Sequence, residues 1–120
     1  MENHIAIINL INQYFHGVYE GDIAKLMAVF HPKAVLSGDV KGIPYYKNLS
    51  EYIEVVRKRE SPQAKKEKFS MKILALDVTG PIAMVKTHCP MLGYNYQDYL
   101  GLVCENGQWK IISKVFTHLD

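Results

Sequence analysis

The second half of the chain constrains the fold most, because apolar and polar residues alternate there through four long segments in succession. Alternation with a period of two favours β-strands. We predict strands at Lys68 to Val78, Ile82 to Met91, Tyr94 to Glu105 and Gln108 to His118. Asn106–Gly107, between the last two segments, is a strong signal for a hairpin turn. The sequence therefore predicts an antiparallel meander over this half.

The first half has the period of helices. Apolar residues recur every three or four positions from Ile5 to Tyr19, and Asp22 and Ser50 are placed to cap two further helices. A strand at residues 34–40 and an edge segment around Pro44 separate the second helix from the third. Helices followed by a meander predict an α+β fold.

The composition argues against several classes of partner. The chain has 120 residues, which predicts a single domain over 1–120, and 14 basic against 12 acidic residues give a net charge of +2. This charge is too small to predict binding to nucleic acid or to an anionic membrane. The basic residues between Arg57 and Lys68 indicate a solvated helix end and loop. No apolar run has the length of a membrane span and no signal-peptide pattern is found, so we expect a cytoplasmic protein.

The cysteines and histidines are scattered along the chain. Their spacing matches no set of metal ligands, and two cysteines do not make a disulfide framework. We therefore predict no metal site and no cofactor.

One predicted strand carries a carboxylate among apolar residues. In "YNYQDYLGL" the residues that share one face are Tyr94, Tyr96, Asp98, Leu100 and Leu102. A protonated acid at this position would donate a hydrogen bond to a ligand, whereas an ionised acid would pair with a cation. Lys114 is the candidate cation, and a structural pair between Asp98 and Lys114 is as well supported as a ligand-binding role.

The last predicted strand, "WKIISKVFTH", is apolar on both faces. One face carries Trp109, Ile111, Ser113 and Val115, and the other carries Ile112, Lys114 and Phe116. A strand that is apolar on both sides needs a cover on both. Because the helices cover only one face of the sheet, we predict a homodimer through the outer sheet face.

Several motifs resemble a known family. The runs "INQYFHGVYEGD", "LMAVFHPKAVL", "YQDYLGLV" and "GQWKIISKVF" are similar to the nuclear transport factor 2-like superfamily, and most of all to its SnoaL-like and lumazine-binding branch. The resemblance covers nearly the whole chain. It implies three N-terminal helices packed in a curved, mostly antiparallel sheet that forms a cone with an internal pocket. The superfamily includes isomerases, dehydratases, cyclases and non-catalytic proteins, so the fold leaves the activity open.

The resemblance also implies site residues. Ketosteroid isomerases of this superfamily use a helix tyrosine and a strand aspartic acid as donors to the substrate oxyanion, and a second aspartate as base. Tyr14 and Asp98 match the two donors and are the candidate catalytic residues. Gly38 occupies the position of the base, and Asp39 would face the opposite side of its strand. The expected lining of the pocket is completed by Phe30, His31, Tyr46, Tyr96, Ile112, Lys114 and Phe116.

We therefore expect a protein that binds a small hydrophobic or aromatic metabolite, and its status as an enzyme stays open. A catalytic version would transfer a proton or dehydrate next to a carbonyl group, with Tyr14 and Asp98 stabilising an enolate. The alternative is a non-catalytic dimeric interaction or accessory domain with a filled or vestigial pocket. A side chain such as Trp109 or Phe116 plugging the cone would favour that alternative.

Overall fold

A computed structural model describes residues 2–120, which form three helices and six strands. The helices are α1 (Glu2–Glu20), α2 (Ile23–Val29) and α3 (Leu49–Lys58). The strands are β1 (Phe30–Val40), β2 (Ile43–Asn48), β3 (Lys72–Thr79), β4 (Ile82–Met91), β5 (Tyr94–Glu105) and β6 (Gln108–His118). They form one sheet in the order β2-β1-β6-β5-β4-β3, in which each neighbouring pair is antiparallel except β1 and β6. The predicted α+β class and the bounds of β4, β5 and β6 are confirmed.

The starts of the short helices depend on side-chain caps. Asp22 accepts a hydrogen bond from the Lys25 backbone N–H at 3.1 Å and caps α2 as predicted. The predicted cap of α3, Ser50, was wrong, because Asn48 takes that role two residues earlier. Asn48 accepts from the backbone N–H of Glu51 at 2.8 Å, and Glu51 accepts from that of Asn48 at 2.9 Å. This reciprocal pair satisfies two backbone donors and fixes the start of α3.

Strand β3 begins at Lys72 rather than at Lys68. The segment before it packs against α1 instead of pairing with β4. The ring of Phe69 lies 5.2 Å from the ring of His16 and 5.2 Å from that of Tyr19, measured between centroids. The contacts of the Phe69 ring with these two rings outweigh the propensity of this segment for a strand.

A bulge in β6 changes which residues face the helices. Gly101 pairs with Ser113 but Leu102 pairs with Ile111, so Ile112 is an extra residue that has no partner on β5. Such an insertion reverses the alternation of side chains beyond it. Ile111 and Lys114 therefore both point inward, with exposures of 0% and 7%. The predicted division of this strand into two faces was wrong for this reason.

One row of paired residues crosses the inner face of five strands. Tyr45 pairs with Gly38, Gly38 with Phe116, Phe116 with Asp98, and Asp98 with Thr87. At Gly38 a Cβ atom would overlap the backbone carbonyl oxygen of Phe116 and lie 2.9 Å from its ring. Any side chain at this position would collide with Phe116.

Asp39 does not replace the carboxylate that Gly38 lacks. Its side chain is exposed and accepts a hydrogen bond from the Gly42 backbone N–H at 2.8 Å, in the turn after β1. Neither residue therefore brings a carboxylate to the inner face of β1.

The close contact at Gly38 predicts an effect of Gly38→Ala on stability. The added methyl group forces Phe116 or β1 to move, and overpacking of this kind costs about 1–3 kcal/mol of unfolding free energy. Urea denaturation would measure the loss. Ser37→Ala, on the opposite face of the same strand, is the matched control and should change the free energy by less than about 0.5 kcal/mol. Equal midpoints for the two variants would contradict the packing of Phe116 over Gly38.

Candidate functional site

A cavity of about 160 Å³ lies between α1, α3 and the inner face of the sheet. Its fully buried lining includes polar groups, which are carried by Tyr14, Tyr52, Cys89, Asp98 and Lys114. Partly exposed residues form its mouth, and they include Tyr45, Arg59, Tyr96 and Phe116. An apolar cavity of roughly 150 Å³ holds one benzene ring, so this cavity accommodates a ligand of similar size.

Asp98 lies at the bottom of the cavity with an exposure of 2%. The Tyr14 hydroxyl donates to its Oδ2 atom at 3.1 Å, and the Thr87 hydroxyl donates to the same atom at 3.2 Å. The Cys89 thiol is a third, weaker donor at 3.6 Å. Three donors surround this one oxygen, which is the arrangement expected when a carboxylate oxygen accepts hydrogen bonds. Its other oxygen, Oδ1, is buried and has no hydrogen-bond partner within residues 2–120.

The groups around Asp98 stay protonated. Burial raises the pKa of the Tyr14 phenol well above its ordinary value of 10.0, and the neighbouring Asp98 raises it further. Burial likewise raises the pKa of the Cys89 thiol, again with Asp98 as the second cause. Loss of either proton would place a second negative charge beside Asp98 in a buried site. Tyr14 and Cys89 therefore remain neutral donors at physiological pH.

Lys114 does not pair with Asp98. Within the described residues its ammonium group forms no salt bridge, and its Nζ atom lies instead 5.0 Å from the ring centroid of Tyr52 and 5.4 Å from those of Tyr14 and Phe116. Aromatic faces attract a cation in this way. The sequence left open a structural ion pair between Asp98 and Lys114. That interpretation is wrong, because donors from α1 and β4 already surround Asp98.

Lys114 is nevertheless a cation. Its burial lowers its pKa, but the neighbouring groups, which include the Asp98 carboxylate, together raise it by more, and the net result is a raised pKa. The positive charge of Arg59 lowers the pKa of Lys114, because a nearby charge of the same sign disfavours the protonated form. The cavity thus contains two cationic side chains and one carboxylate.

At the mouth, three aromatic rings pack together and line the cavity with Arg59. The ring of Phe116 lies 4.9 Å from that of Tyr45 and 5.8 Å from that of Tyr96, both nearly perpendicular. Arg59 follows α3, and its backbone N–H donates to the Val55 carbonyl oxygen at 3.1 Å. Its Nη2 atom is buried and has no hydrogen-bond partner in the described part of the chain.

Five of the predicted lining residues meet at the cavity, and these are Tyr14, Tyr96, Asp98, Lys114 and Phe116. The other four do not line it. Phe30 is in the core, with its ring 5.9 Å from that of Tyr14, and the ring of His31 pairs at 2.7 Å with Glu105. Ile112 is displaced by the bulge.

Tyr46 is 78% exposed on the outer side, because alternation along β2 turns Tyr45 to the cavity instead. The sequence also missed Tyr52, Thr87, Cys89 and Arg59. Thr87 and Cys89 alternate along β4, but only the register of β4 with β5 places them beside Asp98.

Two features are absent from residues 2–120: a cluster of metal ligands and a helix able to cross a membrane. Residues 2–120 contain no group of three histidine, cysteine or acidic side chains arranged to hold a metal ion. In the same range, no helix combines the length and apolar character that a membrane crossing requires.

The hydrogen bond from Tyr14 predicts a pH effect on stability. The unfolded chain releases the Tyr14 proton near pH 10.0, whereas the folded protein retains it because its pKa is raised. The stabilisation is complete below that pH and decreases above it, by up to about 1.4 kcal/mol per pH unit. Tyr14→Phe should therefore lose unfolding free energy less steeply than the wild type above about pH 10, as measured by urea denaturation. Tyr46→Phe is the control, and equal slopes for Tyr14→Phe and the wild type would contradict the assignment.

Similarities in sequence and structure to known proteins support the fold described above. A family model described as "Putative lumazine-binding" matches residues 2–117. "Aldolase FrzH" of Cladobotryum sp is 26% identical over 111 residues, which cover 92% of this chain and 87% of that protein. An NTF2-like protein of unknown function from Methylobacillus flagellatus KT superposes with a TM-score of 0.89 at 18% identity, covering 100% of this chain and 94% of that one.

A second NTF2-like protein of unknown function, from Silicibacter pomeroyi DSS-3, has a TM-score of 0.82 at 23% identity and covers 98% of this chain and 97% of its own. These two structures share the arrangement of three helices and a six-stranded sheet. The chain therefore belongs to the "Putative lumazine-binding" family and has the cone fold of the nuclear transport factor 2-like superfamily.

Proposed function

We propose that the protein binds a small carbonyl compound in the cavity and catalyses proton transfer at the carbon next to the carbonyl group. One observation carries the proposal. Within residues 2–120, the buried side-chain atoms without a partner are Tyr52 Oη, Arg59 Nη2 and Asp98 Oδ1, and all three belong to residues that line this cavity. An unsatisfied buried polar group costs about 1–3 kcal/mol. A polar ligand would offset this cost by pairing with these atoms.

In this proposal Asp98 is the base. Its Oδ2 atom is held by Tyr14 and Thr87, so Oδ1 is the oxygen that accepts a proton from the substrate carbon. The electron pair of the broken C–H bond forms a C=C bond to the carbonyl carbon, and the π electron pair of the C=O bond moves to the carbonyl oxygen. The Lys114 ammonium group then stabilises the negative charge on that oxygen.

The assignment differs from the roles that the family resemblance implies. There the tyrosine and the acid both donate to the substrate, with a separate aspartate as base. Here the Tyr14 proton points to Asp98, and no carboxylate extends from Gly38. Tyr14 thus acts as a positioning residue for Asp98.

The name of one relative is compatible with this chemistry. An aldolase joins two carbonyl compounds after one of them has lost a proton next to its carbonyl group, and "Aldolase FrzH" is 26% identical to this chain. Isomerisation and dehydration can begin with the same step. The proposal concerns this shared step and not the reaction that follows it.

We further propose that the protein is a homodimer through the outer face of the sheet. Large apolar side chains on this face are 44–59% exposed, and they are Val35, Ile82, Met84, Tyr99 and Val115. Val115 and Tyr99 are paired across β6 and β5, which places them together at the centre of the sheet. A second copy would cover this patch by a twofold interface.

A non-catalytic domain with a filled cavity is less well supported. Phe116 lines the cavity without filling it, and Trp109 is buried elsewhere along β6. The dimer proposal holds for either function, because the outer face and the cavity lie on opposite sides of the sheet.

The catalytic proposal predicts an effect of Asp98→Asn on hydrogen exchange. In heavy water the wild type should accelerate exchange next to the carbonyl group of pyruvate, levulinate or cyclohexanone, as followed by proton NMR. Asp98→Asn should slow the catalysed rate by a factor of about 10²–10⁴. The asparagine oxygen still accepts from Tyr14 and Thr87, so the variant should fold.

Asp77→Asn, an exposed acid on β3, is the matched control and should exchange like the wild type. The proposal fails if the wild type accelerates none of the three compounds, or if Asp98→Asn exchanges as fast as Asp77→Asn.

The dimer proposal predicts a change of mass with Val115→Glu. Sedimentation of the wild type should give twice the chain mass of 13.7 kDa, and Val115→Glu should give the single-chain mass because a charge would be buried at the interface. Ile5→Glu places the same charge at an exposed position of α1 and should leave the dimer intact. A wild type that sediments with the mass of one chain would rule the dimer out.

A further inference from the structure

We propose that the substrate is a small carboxylic acid that also carries the reacting carbonyl group, and that Arg59 binds its carboxylate at the mouth of the cavity. This inference rests on the proposed function and adds the chemical class of the substrate. Four features of the cavity support it: its charge, the state of Arg59, the order of its polar groups and its volume.

The charge of the cavity favours an anion. Arg59 and Lys114 are cationic, and Asp98 is the opposing acid among the lining residues. The cavity therefore carries an excess of one positive charge, and a charge removed from water requires a partner. A neutral ligand would leave this excess uncompensated, whereas a ligand with one carboxylate would balance it.

Arg59 has the properties of a residue that can bind a carboxylate. Its Nη2 atom is buried without a partner, and within residues 2–120 it forms no salt bridge. Arg57, two residues earlier, is exposed and donates to Glu54 at 3.0 Å. The planar guanidinium group matches a carboxylate with two parallel hydrogen bonds.

The polar groups follow one another from the mouth to the bottom of the cavity. Arg59 lies with the partly exposed mouth residues, and Asp98 is at the bottom. Lys114 contacts the ring of Phe116 at the mouth and that of Tyr14 at the bottom, so it lies between them. A substrate aligned with these groups has its carbonyl between its carboxylate and the carbon that loses a proton. Levulinate, a straight-chain keto acid, has this order of groups.

The volume limits the rest of the molecule. A cavity of about 160 Å³ holds one ring or a short chain. A compound with two or more fused rings would exceed it. Aromatic rings at the mouth are suited to a planar group such as a carboxylate conjugated to a ring.

Calorimetric titration with benzoate and benzamide tests the inference without any catalysis. The two compounds have nearly the same shape and differ in charge, and neither has a hydrogen on the carbon atom next to its carbonyl group. The wild type should bind benzoate at least tenfold more tightly than benzamide. Arg59→Gln should remove most of this difference, while Arg57→Gln, the matched control on the exposed side, should preserve it.

Arg59→Lys keeps the charge without the planar group and should bind benzoate with intermediate affinity. This variant also serves as a second test if Arg59→Gln does not fold. Equal binding of the two compounds by the wild type, no binding of benzoate, or the same loss in Arg57→Gln would overturn the inference. A wild type that prefers benzoate through Arg59 but exchanges no carbonyl compound would instead refute the catalytic proposal and preserve the anion site.

Discussion

The hydrogen bonds to Asp98 connect the parts of the molecule that enclose the cavity. Tyr14 comes from α1, Thr87 from β4 and Asp98 from β5, and the two donors bind the same carboxylate oxygen. Removing one partner of a buried charged group leaves the other unsatisfied, which costs more than the bond itself contributes. This arrangement therefore fixes α1 against the sheet and also sets which oxygen of Asp98 is free for a ligand. Stability and the proposed chemistry depend on the same contact.

Two irregularities in the sheet give the cavity its shape and charge. The extra residue Ile112 lets Ile111 face inward together with Lys114, whose ammonium group lies over aromatic rings. Gly38 provides the space into which Phe116 packs. The inner face therefore has an aromatic ring over Gly38 and a cation, Lys114, on β6. The same fold thus offers one carboxylate and two cations, which suits an anionic substrate better than a neutral one.

The sequence predicted the fold well and the site only in part. The alternating strands and the hairpin turn were enough to fix β4 to β6, and the resemblance placed Tyr14 and Asp98 together. The bulge at Ile112 was not predictable. Apolar residues occupy both faces of β6, so one inserted residue does not visibly break the alternation of apolar and polar residues. Arg59 lies in a basic segment that looks solvated, and only the packing of α3 buries its Nη2 atom. The partners of Asp98 depend on strand register, which a single sequence does not specify.

The central claim is that the fold holds one oxygen of the acid at residue 98 ready for a ligand. A crystal structure of the protein with levulinate tests it most directly. We expect levulinate in the cavity, with the carbon beside its carbonyl group facing Asp98 Oδ1 and with Tyr14 and Thr87 still donating to Oδ2. An Asp98 side chain that has turned to pair with Lys114, or a cavity closed by the protein's own side chains, would contradict the account.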